Sequence, residues 1–238
     1  MELLKRDGAE YRGTLLHMGL EIASALNARQ LLAQYIQTAH IEARARCTET
    51  TGWHGNAFVL PDRTIVNGTG ERVIFQSATN TANTFRQRGT LHEWCEHVGA
   101  PCVGNSRLAF GVSCALAGPL LHLMGMESGG FHYRGSTSTG KTTALRVAAS
   151  VWGGPDFLQR WRTTDNGLEG VAAQHSDCCL ILDELSQIDS RVAGESAYML
   201  ANGQGKLRAN RSGYPRPRAE WRLLFLSSGE MSLGGTIK

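Results

Sequence analysis

The sequence has no long apolar run and no marked excess of charge of one sign. No window reaches the roughly 18 consecutive apolar residues that a membrane-spanning helix needs, and residues 1–10 lack the apolar segment of a secretory signal. Lysine and arginine total 24 against 21 aspartate and glutamate residues, too small a bias to indicate a nucleic-acid partner by itself. These absences predict a soluble, cytoplasmic protein outside any membrane.

The six cysteines form no regular framework. Cys178 and Cys179 are adjacent within an apolar run, a pattern typical of small buried side chains, so we expect reduced thiols. Four side chains of zinc-ligand type lie close together in sequence, at His92, Cys95, His97 and Cys102. They lack paired-ligand spacing, and a helix capped by Thr90 would point His97 away from Cys95, so convergence on zinc is not expected.

A chain of 238 residues with 42% hydrophobic content can form one large core or two modest ones. The front third mixes helical spacing with short strand-like runs. Residues 105–126 are weakly charged and predict a buried helix or helix pair that contains Pro119. We predict a smaller mixed α+β accessory domain over residues 1–127 and an α/β domain over residues 128–238.

The second half alternates between strand and helix patterns, which predicts a parallel sheet with helices on both faces. The chain ends at Lys238, shortly after the last predicted strand, so this core is expected to be truncated there. The predicted strands are 131–134, 161–163, 178–182 and 221–227, and the predicted helices are 141–151, one that begins at Asp165 or Asn166, and 195–202.

A phosphate-binding motif follows the first of these strands and precedes the first helix. It comprises Gly135, Ser136, Thr137, Ser138, Thr139, Gly140, Lys141 and Thr142, followed by Thr143. The pattern matches G-x-x-x-x-G-K-[ST] at every defined position. Glycines let the backbone wrap phosphates, Lys141 reaches the β and γ phosphates, and the Thr142 hydroxyl binds Mg²⁺. The motif therefore predicts a P-loop NTPase core that binds ATP and Mg²⁺.

Two carboxylates follow the apolar strand that ends at Leu182. In parallel sheets the carboxyl ends of strands are where ligands bind. Asp183 is predicted to hold Mg²⁺ together with Thr142, and Glu184 to act as the general base on the attacking water. This pair favours an ATPase over a small-molecule kinase, although strand ends often carry acidic residues for other reasons.

Ser227 and Ser228 end the last predicted strand. We expect this strand to lie between the strand that precedes the phosphate-binding motif and the strand that precedes Asp183. A polar side chain there is placed to sense the γ-phosphate or the water. Ser228 is taken as the candidate catalytic residue, with Ser227 as the other choice, and a serine in a simple turn remains the alternative.

The most basic stretch of the chain runs from residue 206 to residue 222, with a single acid, Glu220. A loop there could contact a nucleic-acid backbone, could be a solvated turn, or could reach a neighbouring subunit's nucleotide. The candidate nucleic-acid contacts are Lys206, Arg208, Arg211 and Arg216.

Several stretches together resemble the domain of unknown function 927 family, helicase-like P-loop ATPases of phage, plasmid and mobile-element proteins. The stretches are Gly52-Trp53-His54-Gly55, Asn105-Ser106-Arg107-Leu108, Gly129-Gly130-Phe131-His132, Ala148-Ala149-Ser150-Val151-Trp152-Gly153, Leu168-Glu169-Gly170, Leu182-Asp183-Glu184 and Asn202-Gly203-Gln204-Gly205-Lys206. The resemblance implies an additional-strand ATPase core that acts in a ring-forming DNA helicase or translocase.

The sequence thus predicts an ATP-hydrolysing module of a DNA helicase or translocase, forming homo-oligomers in the full-length protein. Two alternatives remain. One is a nucleotide-gated interaction module that binds ATP without turnover, because an arginine for the transition state is lacking. The other is a P-loop kinase, disfavoured since no acceptor-binding lid is evident.

Overall fold

A computed structural model describes residues 9–23, 25, 27–40, 42, 44–66, 71–76, 82–161, 165–185, 190–207 and 218–230. The chain divides into two compact units, residues 1–44 and residues 45–238. The first unit contains helices α1 (Ala9–His17) and α2 (Ala28–Thr38). The predicted domain boundary at residues 127 and 128 lies inside the second unit, and the accessory role of residues 1–127 stays a prediction.

The second unit begins with short strands and continues with alternating helices and strands. In chain order these are β1 (Arg46–Thr48), β2 (Gly52–His54), β3 (Ala57–Val59), β4 (Thr64–Val66), β5 (Val73–Phe75), α3 (Leu91–Trp94), α4 (Ser106–Leu123), β6 (Gly129–Arg134), α5 (Lys141–Ala149), β7 (Gln159–Arg160), α6 (Asp165–Gln174), β8 (Cys179–Asp183), α7 (Ser190–Asn202) and β9 (Leu224–Gly229). Thr90 and Glu93 form a capping box at the start of α3, as the cap at Thr90 predicts.

The main sheet has four parallel strands in the order β6, β9, β8, β7. Phe131 of β6 and Ile181 of β8 both pair with Leu226 of β9. The strand that ends in the two serines therefore lies between the strand before the loop at residues 135–142 and the strand that ends at Asp183, which confirms the predicted order. Because parallel strands end at the same edge of a sheet, the residues that follow them are neighbours.

Alternate residues of β8 pack on opposite faces of the sheet. Cys179 and Ile181 belong to a core shared with α4 and α5, whereas Leu180 and Leu182 belong to a core shared with α6 and α7. All five residues of the strand are buried, as expected of a central parallel strand. The chain is thus a mixed α/β protein with a parallel sheet covered by helices, as predicted.

Helix α4 lies very close to the sheet. A Cβ atom built on Gly118 would lie 2.4 Å from the carbonyl carbon of Cys178, so glycine is required for this approach. Pro119 has no N–H, which leaves the carbonyl oxygen of Ala115 without its helical partner. That oxygen accepts a hydrogen bond from Trp152 Nε1 at 2.9 Å. By length and composition alone α4 could cross a membrane, but here its inner face packs in the core.

The segment Gly52-Trp53-His54-Gly55 joins the front of the second unit to the main sheet. Gly52 has a φ angle of +95°, and a Cβ atom there would lie 2.5 Å from Asp177 Oδ2. The backbone N–H of Trp53 donates to the same carboxylate oxygen at 2.9 Å, and Trp53 Nε1 donates to Pro119 O at 2.9 Å. This resemblance motif therefore has a structural role in docking β2 against the turn before β8.

All four strands of the main sheet differ from their predicted ranges by one to three residues; β6 begins at Gly129, and β8 spans Cys179–Asp183. The strand expected at residues 161–163 corresponds to β7, which ends at Arg160; residues 162 and 163 lie outside the described residues. Trp161 follows β7 and is 1% exposed, so its apolar character reflects burial. The last strand begins at Leu224, because the N–H of Trp221 bonds to Gly203 O at 2.9 Å and lies outside the ladder.

The burial of His175 predicts that the protein loses stability in mild acid. Its ring is buried against Phe85 and Phe157, with Nδ1 2.7 Å from Val171 O, and burial lowers its pKa from 6.5 to about 4. Between these values the unfolded chain binds a proton that the folded chain excludes. The free energy of unfolding should therefore fall as pH drops from 6.5 towards 4, by up to about 1.4 kcal/mol per pH unit from this group.

Urea unfolding at pH 7 and pH 5 measures this effect, with His175→Phe as the comparison. The variant keeps an aromatic ring in the cluster and removes the titrating nitrogen. An equal pH dependence in both proteins would show that other groups cause the acid sensitivity.

Candidate nucleotide site

The loop at residues 135–142 follows β6, and its last two residues, Lys141 and Thr142, form the start of α5, as predicted. Gly140, the residue before α5, has a φ angle of +81°, a conformation that favours glycine. Gly135 has little space, since a Cβ atom there would lie 2.9 Å from Thr139 Oγ1. Thr139 Oγ1 donates to Ser136 O at 2.9 Å and closes the loop on itself. The first N–H groups of α5, which no helix satisfies internally, add a positive dipole end beside this loop.

Lys141 folds back over the loop. Its Nζ donates to the carbonyl oxygens of Gly135 at 2.8 Å and Ser136 at 2.6 Å. A lysine held only by neutral acceptors is available to a more strongly charged anion, because charge-assisted hydrogen bonds are stronger than those to neutral oxygens. Thr142 is half-buried in the first turn of α5, and among the described residues its hydroxyl has no hydrogen-bond partner. Lysine, a hydroxyl and free helix N–H groups suit a phosphate chain with Mg²⁺.

The two serines at the end of β9 have different partners. Ser228 Oγ donates to Asp183 Oδ1, which also accepts from the backbone N–H of Glu184 at 3.0 Å. Ser227 Oγ lies 2.8 Å from His132 Nδ1. Consecutive strand residues point to opposite faces of a sheet, so one serine meets the carboxylate and the other does not. Asp183 and Ser228, predicted separately, lie together and are both buried.

Glu184 has a feature that sequence analysis missed, a neighbouring arginine. Arg160 Nη1 lies 3.9 Å from Glu184 Oε2, and Arg160 is the strand partner of Asp183. The two side chains are 71% and 44% exposed, so their attraction is weak and screened by solvent. Glu184 also has a φ angle of +60°, which is uncommon outside glycine. The strand predicted at residues 161–163 put Arg160 before the strand, whereas Arg160 ends β7, so the sequence pattern did not indicate this arginine.

The loop contacts the end of β9 directly. Thr137 Oγ1 donates to Glu230 Oε1, and the backbone N–H of Gly135 donates to Gly229 O at 3.2 Å. Sequence analysis gave Glu230 no role. These contacts place the loop beside the strand end that also contains Ser228, so the separately predicted groups meet at one edge of the sheet.

Of the four candidate nucleic-acid residues, only Lys206 lies within the described residues. Arg208, Arg211 and Arg216 fall outside them, and the prediction for these arginines stays open. The backbone N–H of Lys206 donates to Glu169 Oε1 at 3.1 Å, and Glu169 is 3% exposed. Two resemblance motifs, Leu168-Glu169-Gly170 and the segment that ends at Lys206, therefore contact each other, which fixes the start of the basic stretch.

Within the described part of the chain, no three histidine, cysteine, aspartate or glutamate residues are grouped to hold a metal ion. Cys95 is exposed whereas Cys102 is buried. Burial raises the pKa of the Cys178 and Cys179 thiols far above its usual range, so both stay protonated.

The family model described as domain of unknown function (DUF927) matches residues 1–220. The chain therefore belongs to this family, as its motifs predicted. No curated protein sequence matches it.

A solved structure titled "SCCmec type IV Cch - active helicase" matches 99% of this chain with a TM-score of 0.71 and 20% sequence identity. The match covers 45% of that helicase chain, so this chain spans less than half of its length. At this identity the likeness establishes a shared fold.

Proposed function

We propose that this member of the DUF927 family binds ATP with Mg²⁺ and hydrolyses it as the motor module of a DNA helicase or translocase. The observation that carries the proposal is the meeting, at one sheet edge, of the loop at residues 135–142 with Asp183 and Ser228. The strand order supports it, since the strand of Ser228 lies between the other two. The fold shared with an active helicase supports the kind of work proposed.

Each residue has a distinct role in this proposal. Lys141 and the loop N–H groups bind the β and γ phosphates, while Thr142 and Asp183 hold Mg²⁺, which neutralises phosphate charge. Glu184 accepts the proton of the attacking water. Ser228 holds Asp183 in one orientation through its hydrogen bond, so it acts by positioning the carboxylate. Full-length chains would assemble as homo-oligomers.

The Arg160–Glu184 contact favours a second candidate, a module that binds ATP without turnover. In this contact the Glu184 carboxylate faces a guanidinium, and the contact competes with a hydrogen bond from Glu184 to the attacking water. Measuring ATP binding and turnover separately distinguishes the two functions, for this chain and for the full-length protein, each with and without single-stranded DNA. Turnover that DNA accelerates supports the motor; tight binding with no turnover in any sample supports the module.

Removing Arg208 and Arg211 together tests the DNA contact. If both contact phosphates, the double alanine variant should bind single-stranded DNA more weakly for every sequence, and the slope of log K against log salt should become shallower by about 1.4. ATP affinity should stay constant. Fluorescence anisotropy across a salt series measures both quantities.

The control removes equal charge from two exposed arginines elsewhere, Arg86 and Arg88. A DNA affinity that holds in the Arg208 and Arg211 variant, together with lost assembly and turnover, would place these arginines at a subunit interface instead.

A further inference from the structure

A cavity of about 320 Å³ lies beside the loop at residues 135–142, on the side of α4. Its walls come from the start of α4, the end of β6 and the first turn of α5. We propose that this cavity receives the nucleoside half of the bound nucleotide, with the base against Arg107 and Leu108. The proposal rests on the proposed function, because the phosphate half is bound by the loop.

The direction of the bound nucleotide follows from the positions of its two ends. Asp183 and Glu184, which act on the terminal phosphate, follow β8, and neither lines the cavity. Gly140, Lys141 and Thr143 do line it, so the cavity opens directly onto the phosphate-binding residues. A nucleotide whose terminal phosphate faces β8 must extend its other end away from β8. The cavity adjoins the loop and has no β8 residue in its lining, and its volume is near the lower end of the roughly 300–1,000 Å³ of small-molecule sites.

The walls have the chemistry of a base-binding site. Arg107 is exposed and Leu108 is half-buried, so they offer a planar guanidinium and an apolar surface to a flat ring. Tyr133 fixes this wall, since its hydroxyl donates to Arg107 O at 2.7 Å. Burial raises the pKa of Tyr133 to about 12, so the donor stays protonated. The Asn105 side chain accepts from Leu108 N at 3.3 Å and caps the same turn.

This arrangement gives the segment Asn105-Ser106-Arg107-Leu108 a function that its sequence does not indicate. Asn105 and Tyr133 hold the turn, and Arg107 and Leu108 present the binding surface. Stacking energy grows with ring area. The expected preference is therefore for purine over pyrimidine nucleotides.

Arg107→Ala tests the proposal without disturbing the wall, because Tyr133 bonds to the backbone carbonyl and not to the side chain. Calorimetry compares the binding of ATP, CTP and inorganic tripolyphosphate. The variant should bind ATP about tenfold more weakly, as expected for one desolvated cation–π contact, should bind tripolyphosphate unchanged, and should lose the preference for ATP over CTP. Arg146→Ala is the control, since Arg146 is exposed on α5 and does not line the cavity.

The outcomes separate this proposal from the proposed function. If Arg107→Ala weakens the binding of ATP and of tripolyphosphate equally, Arg107 acts only as a surface charge, and the base site would be rejected. Wild-type protein that binds ATP no better than tripolyphosphate would also reject it while leaving the loop's function intact. Wild-type protein that binds neither ligand would overturn both proposals.

Discussion

Lys141→Ala should abolish measurable affinity for ATP and Mg²⁺. The side chain bonds to neutral loop oxygens, at 2.8 Å to Gly135 O, 2.6 Å to Ser136 O and 3.5 Å to Thr139 Oγ1, and it would exchange these for charged phosphate oxygens. Charge-assisted hydrogen bonds contribute about 1.5–3 kcal/mol each, so losing two weakens binding by at least about a hundredfold. Alanine is the best helix former at the first position of α5, and the fold should remain intact.

Isothermal titration calorimetry measures the affinity, and thermal unfolding confirms that the variant is folded. Arg146→Ala, on an exposed face of the same helix, removes one positive charge without touching the loop and should bind ATP normally. A folded Lys141→Ala protein with wild-type affinity would disprove the assignment of the loop as a phosphate-binding site.

The local sequence pattern was sufficient to predict the elements around the site. The change from an apolar run to a glycine-bounded loop and then to helical spacing predicts β6, the loop and α5, because each signal spans only a few neighbouring residues. The buried strand that ends at Asp183 was predictable for the same reason. The chemistry expected at the site also predicted that β9 lies between β6 and β8. The sheet order confirms this position.

Contacts between distant residues were beyond sequence analysis. Nothing near Gly118 indicates that its missing Cβ admits the backbone of Cys178, and nothing near Trp53 indicates that Asp177 accepts its N–H. Such contacts depend on the tertiary arrangement of elements. They also explain why the second unit extends back to residue 45, since β2 contacts Asp177 in the turn before β8 and α4 packs against Cys178 in the same turn.

The choice between the two serines shows the same limit within the site. Ser227 and Ser228 have identical side chains at adjacent positions, and the alternation of a strand sends them to opposite faces. Only the register of β9 against β8 decides which one meets Asp183. The Arg160 contact with Glu184 likewise depends on the pairing of β7 with β8.

Glu184→Gln should preserve ATP binding and reduce hydrolysis by about 10²–10⁴-fold, the contribution of a general base. The amide keeps the size of the side chain but cannot accept the proton of the attacking water. The backbone strain at position 184 should be unchanged, because a φ angle of +60° is about equally unfavourable for glutamine and glutamate. Single-turnover hydrolysis in the full-length protein, with ATP affinity measured in parallel, separates the chemical step from binding.

Glu195→Gln is the matched control for this variant. Glu195 is an exposed carboxylate on α7 that pairs with Arg191 and has no role in the proposed site, so its loss should leave turnover at the wild-type rate. The distinction matters because Glu184→Gln also removes the charge that faces Arg160. If ATP affinity falls together with turnover, the lost charge has disturbed the phosphate site. The lower turnover then reflects weaker ATP binding and does not support Glu184 as the general base. If affinity holds and turnover also continues normally, the general base is another residue, and Glu184 serves only as the partner of Arg160.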